Sequence, residues 1–140
     1  MKDGIPQRVK ASSAVDHAST WQGSLPVAKL PRLAAALAAP EGALAAVLAA
    51  GREGAGGARL SGTVEGALPL VCQTCLKTFS WSLHLELELR LVSSEAEERR
   101  LLNECEPYLV EDDSLPLQAM VEEEVLLALP IAVRCPDCGN

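Results

Sequence analysis

Four of the five cysteines of this 140-residue chain fall into two pairs of identical spacing, Cys72-Gln-Thr-Cys75 and Cys135-Pro-Asp-Cys138. A two-residue spacer lets a tight turn present both sulfurs to one side of an ion, and two such turns supply the four soft ligands of a tetrahedral zinc site. Pro136 and Gly139 suit the turn of such a knuckle. The expected metal ligands are therefore Cys72, Cys75, Cys135 and Cys138, holding a structural zinc. A shell closed by four sulfurs keeps no position for substrate, so its chemistry is that of a clamp. Two other readings stay open on the residues alone. The four could be free thiols, since nothing in the spacing brings the distant pairs together. Cys72 and Cys75 could instead be the dithiol of a thiol oxidoreductase. That motif normally opens a helix beside a parallel strand, whereas the residues after Cys75 have the pattern of a strand. The fifth cysteine, Cys105, has no sequence partner and is expected to be a small buried hydrophobe.

Nothing else assembles into a catalytic set, and no enzyme is expected. His17 and His84 stand alone, without a Ser-His-Asp or Cys-His pairing. Glu86 and Glu88 share a face with Arg90, which makes a solvated charge ladder the better account than a carboxylate pair. The Gly54–Gly57 turn lacks the lysine and following helix of a phosphate loop. The net charge of −7 and isoelectric point near 4.8 argue against a broad grip on nucleic-acid phosphates, so no DNA partner is expected. They favour basic partners. Cysteines at metal spacing and in odd number fit a reducing compartment, and the expected location is cytoplasmic. The first fifteen residues contain no apolar signal core. The alanine-rich stretch from Leu33 to Ala50 is broken at Pro40-Glu-Gly42, and neither half is long enough to span a membrane.

The elements that must position the cysteines centre on Val71–Val92. There Leu83, Leu85, Leu87, Leu89 and Leu91 share one parity while His84, Glu86, Glu88 and Arg90 fill the other. Side chains alternate across a strand, so this is a half-buried antiparallel strand with one wet face. Arg59–Val71 alternates loosely and is expected to lead into the first knuckle as a strand, with Gly62 and Gly66 marking bulges or close backbone approach. Residues 1–20 are expected to be an N-terminal arm with at most a short helical turn, and 21–140 a single domain. Trp21–Val27 is expected to be a short strand or turn that pins the arm. Pro31, followed by Leu33 and Leu37, predicts a short helix ending at Pro40. Gly42–Gly51 is ambiguous, since alanine favours helix while the bounding glycines allow a buried strand. Ser93–Arg100 is expected to be a solvated loop or helical turn, and Tyr108–Val110 an edge strand. Asp113 or Ser114 is expected to cap a C-terminal amphipathic helix over 117–129, with Leu117, Met120, Val121, Val125, Ala128 and Leu129 as its apolar stripe and Glu122, Glu123 and Glu124 opposite. The fold class is thus α+β. It is an antiparallel meander with a short N-terminal helix, a C-terminal helix packed on the leucine face, and a pair of zinc knuckles.

Three segments together resemble the YceD family of large ribosomal RNA subunit accumulation proteins. They are Val71-Cys-Gln-Thr-Cys-Leu-Lys-Thr-Phe, Cys105-Glu-Pro-Tyr-Leu-Val, and Leu117-Gln-Ala-Met-Val-Glu-Glu-Glu-Val-Leu-Leu-Ala-Leu-Pro-Ile. Trp21-Gln-Gly and the strand pattern before Cys72 extend the similarity more weakly over most of the chain. The resemblance implies that Gly42–Gly51 is a strand. It also implies a non-enzymatic role in making, processing or stabilising large-subunit ribosomal RNA, with a ribosomal protein, a pre-ribosomal particle or the RNA itself as partner. No catalytic residues carry over. The terminal Cys-Pro-x-Cys-Gly occurs in only some members, which implies that the zinc serves stability in this branch.

Overall fold

The computed structural model describes residues 4–52, 57–102, 106–130 and 132–138. In chain order the elements are β1 (Val9–Lys10), α1 (Ala11–Asp16), β2 (Thr20–Pro26), a single 3-10 turn (Val27–Lys29), α2 (Pro31–Ala36), β3 (Ala43–Arg52), β4 (Ala58–Val71), β5 (Thr78–Val92), α3 (Glu95–Leu101), β6 (Pro107–Leu109), β7 (Ser114–Leu115) and α4 (Leu117–Ala128). The main sheet runs β2-β3-β4-β5-β6, and β1 pairs with β7 in a small second sheet. Strands β2 to β5 form the expected antiparallel meander. The edge strand over Tyr108 is also present, but it lies parallel to β5, with Leu91 opposite Tyr108. Helix α3 makes the crossover that a parallel pairing requires.

The leucine alternation dictates β5. Leu83, Leu87, Leu89 and Leu91 are buried and Leu85 is packed against the same core, while His84, Glu86 and Glu88 face water. Burying a leucine contributes about 2 kcal/mol, several times the few tenths that separate helix propensities, so face periodicity decides the conformation. The same argument settles Gly42–Gly51. As strand β3 it turns Leu44, Ala46, Leu48 and Ala50 into the core and bonds β2 and β4 on its two edges.

Gly62 and Gly66 lie on the core face of β4, and the register through both pairings runs without a bulge. Each sits between two leucines, Leu48 and Leu87 beside Gly62, Leu44 and Leu83 beside Gly66. A Cβ on Gly62 would collide with the Val47 carbonyl oxygen and reach 3.0 Å from Leu48 Cα. Of the two readings left open for these glycines, close approach is the one realised.

The core face is covered by Ala14 and Val15 of α1, Val27, Leu33 of α2, and Leu117, Met120, Val121 and Val125 of α4. Residues 4–20 join this packing through Ile5, Ala11, Ala14 and Val15, and Trp21 is buried beside them. Three details differ from the sequence reading. Helix α2 ends at Ala36, four residues before Pro40. Ala128 is exposed on α4, and Glu122 is buried instead. Neither Asp113 nor Ser114 caps α4, whose N-cap is Pro116 with no side-chain bond. Ser114 is used in β7 opposite Lys10. The Asp113 backbone has φ 55°, and its carboxylate serves the other end of the chain, accepting from Ser12 N at 2.9 Å and Ser12 Oγ at 2.6 Å. These bonds, the hydroxyl's first, hold the Asp113 carboxyl below the usual carboxylate range. Ser12 lies in the first turn of α1, where backbone N–H groups lack partners, so Asp113 caps that helix from across the fold. Among the described residues, no helix is long and apolar enough to cross a membrane. Cys105, Gly139 and Gly54–Gly56 of the glycine turn lie outside the described residues.

Candidate metal centre

The first knuckle is the connection of the β4–β5 hairpin. Val71 ends one strand and Thr78 begins the next, so the six intervening residues must reverse the chain. Cys72 N donates to Lys77 O at 2.9 Å and Leu76 N donates to Cys72 O at 2.8 Å. One residue of the reversal lies in the left-handed region, Leu76 at φ 65°, and it is 74% exposed. Sequence reasoning missed Leu76, because glycine is the usual signal for that conformation. The available clue was the short distance between two strands that must pair directly. Residues 135–138 form the second turn, with Cys138 N donating to Cys135 O at 3.0 Å. The two turns are tied by Gln73 N donating to Val133 O at 2.9 Å.

This tie brings all four predicted ligands together. The Sγ atoms of Cys72, Cys75, Cys135 and Cys138 lie within 4.8 Å of one another and could hold a metal ion. Cys75 Sγ and Cys135 Sγ, one from each knuckle, are 3.7 Å apart, well beyond the roughly 2.0 Å of a disulfide. Cys72 and Cys135 are buried, Cys138 is half-buried and Cys75 is exposed. The surroundings push two of the thiols in opposite directions. The Cys72 thiol is lowered to about 5, first by the backbone N–H of Cys75, then by that of Cys135. Cys138 is raised to about 12 by the side chains of Cys135 and Cys75, whose sulfurs share its proton. Four sulfurs this close cannot all ionise without a cation among them, and a divalent ion supplies that charge. A redox dithiol would need a different setting, because Cys72 and Cys75 sit on a hairpin turn between antiparallel strands and not at a helix start.

The remaining candidates have ordinary occupations. His84 is exposed and pairs across the sheet with Glu65 at 2.7 Å. Glu88 pairs diagonally with Arg59 at 2.9 Å, whereas Arg90, the cation expected in the ladder, is half-buried and its Nε has no hydrogen-bond partner among the described residues. His17 Nδ1 lies 2.8 Å from the Ser13 carbonyl oxygen at the end of α1. The acidic run on α4 is not the free surface its sequence suggests. The Glu122 carboxylate accepts from Arg32 N at 2.9 Å and Leu33 N at 3.1 Å, and Glu123 pairs with the Arg32 guanidinium. Glu124 is partly buried, which pushes its carboxyl above the usual range, with Glu106 and Glu123 adding to the effect. Toward the N-terminal end, Arg32 is thereby paired within the molecule although it is exposed, as Arg8, Lys10 and Lys29 also are.

Comparison with known proteins gives one result. The family model described as large ribosomal RNA subunit accumulation protein YceD matches residues 60–140, more than half of the chain, from β4 through both knuckles. No curated protein and no solved structure matches.

Proposed function

The chain belongs to the YceD family of large ribosomal RNA subunit accumulation proteins, and from that premise we propose that it is a non-enzymatic, cytoplasmic ribosome-biogenesis factor. In this reading it supports the synthesis, processing or stability of large-subunit ribosomal RNA as a rigid docking body, and its zinc is structural. Cys72, Cys75, Cys135 and Cys138 are the zinc ligands. The observation that carries the reading is the closed cluster of four sulfurs. A tetrahedral zinc–thiolate centre with bonds of about 2.3 Å separates its sulfurs by about 3.8 Å, which the 3.7 Å between Cys75 and Cys135 matches. When bound, zinc supplies four metal–sulfur bonds and neutralises thiolate charge. The chain's own residues do the rest, turning the sulfurs inward and tying residues 132–138 to the β4–β5 hairpin.

The charge distribution supports contact through protein over direct contact with RNA. The net charge is −7, and Arg32, one of the basic residues near the N-terminal end, is paired to Glu122 and Glu123. A basic ribosomal protein, free or within a pre-ribosomal particle, fits this balance better than a phosphate backbone does. Two measurements test the proposal. Metal analysis of freshly purified protein should return one zinc per chain, and tagged protein from growing cells should co-sediment with large-subunit precursors. A chain with no metal sinks the zinc assignment. Capture that returns neither ribosomal protein nor precursor RNA sinks the biogenesis role.

A further inference from the structure

The four sulfurs differ in what can reach them. Cys72 is wholly buried and Cys135 is 6% exposed, whereas Cys75 is exposed. A small oxidant arriving from solvent therefore meets Cys75 before its buried neighbours. The Cys72 sulfur, in addition, faces inward and is approached by the Cys75 backbone N–H at 3.5 Å. Cys75 Sγ has Cys135 Sγ at 3.7 Å, so joining them requires a movement of roughly 1.7 Å shared between two turns. Those two residues lie 60 positions apart, one on each knuckle. A bond between them would connect the same two segments that a shared ion connects.

We propose that Cys75 and Cys135 form an oxidation site for peroxides, and that their disulfide replaces the metal clamp with a covalent one while the second knuckle stays docked. The inference rests on the zinc reading for what is displaced, but not for the bond itself. In the first step the Cys75 thiolate attacks one oxygen of the peroxide O–O bond, giving a sulfenic acid and an alkoxide or hydroxide. The Cys135 thiolate then attacks the Cys75 sulfur, forms the S–S bond and expels hydroxide. Two electrons pass from the sulfurs to the O–O bond. Solvent protonates both oxygen products, and it protonates Cys72 and Cys138 as the divalent ion departs.

The test treats the full, metal-loaded chain with stoichiometric hydrogen peroxide. Remaining thiols are alkylated, and the protein is digested without reduction for mass spectrometry. The expected product is a cross-linked peptide joining Cys75 to Cys135, with one ion released to a chromogenic chelator for each bond formed. Residues 132–138 should stay as protease-resistant as in the untreated protein, in contrast to protein that is reduced and stripped by chelation. Cys138→Ser should keep the cross-link, and Cys135→Ser should lose it. A bond within either Cys-x-x-Cys pair, a bond to Cys72 or Cys105, sulfinic acid without a bond, or thiols intact under excess peroxide overturns the proposal. Purified chain without metal refutes the zinc reading separately, and the disulfide map still decides this one.

Discussion

Glu122 is one of three consecutive glutamates, yet it is only 6% exposed. Its carboxylate takes the backbone N–H groups of Arg32 and Leu33, in the first turn of α2. That helix begins at Leu30-Pro31 with no side-chain cap, so its free donors need an acceptor from elsewhere in the fold. Removing a buried charged acceptor leaves those donors unpaired. Glu122→Ala should therefore cost about 2–3 kcal/mol in urea unfolding. Arg32→Ala removes a guanidinium whose side chain is 58% exposed, and it should cost less than about 1 kcal/mol. Equal losses for the two variants would show that the ion pair, and not the cap, is what Glu122 contributes. At this scale the sequence was legible for the four cysteines, because their spacing is itself the chemical signal. It was illegible for Glu122, which is indistinguishable in type from Glu123 and Glu124. The signal lay some ninety residues away, in a helix start without a Ser, Thr, Asp or Asn.

Strands β4 and β5 carry the site, and their existence followed from alternation in Val71–Val92 and Arg59–Val71. Periodicity fixes which face of a strand is buried but not which neighbour it finds or in which direction. That is why β6 could be placed over Tyr108 while its parallel pairing with β5 could not. For β3 the residues alone left helix and strand open, since alanine's local preference competes with burial that only the assembled sheet provides. The leucine rows that pass over Gly62 give a prediction at the level of the sheet. Gly62→Ala must push β3 away from β4, and a loss of about 3 kcal/mol is expected from overpacking. Gly51→Ala, at the end of β3 with open space around it, should stay within about 0.5 kcal/mol of the parent. Thermal unfolding of the two variants side by side decides the matter, and similar melting temperatures would contradict the close-packing account.

Taken whole, the molecule has an apolar core of its own, and the knuckles stand at one end of the β4–β5 hairpin. Metal removal should thus weaken the fold without abolishing it, unlike the small zinc domains that unfold entirely. Chelation under reducing conditions should lower the melting temperature by on the order of 10 °C, with residues 132–138 becoming the first site of proteolysis. An unchanged melting temperature would mean that the sulfurs hold no stabilising ion. The pairing of β1 with β7 and the tie between Gln73 and Val133 also have a consequence for the order of events during synthesis. Hairpins β2–β3, β3–β4 and β4–β5 can zip as each strand emerges from the translating ribosome. Val9 must wait for Leu115, and the exposed first knuckle must wait longer still for Cys135 and Cys138. Until residues 135–138 have been made, a nascent chain would therefore carry two orphan thiols at a hairpin tip, open to any metal or oxidant that arrives before their partners do.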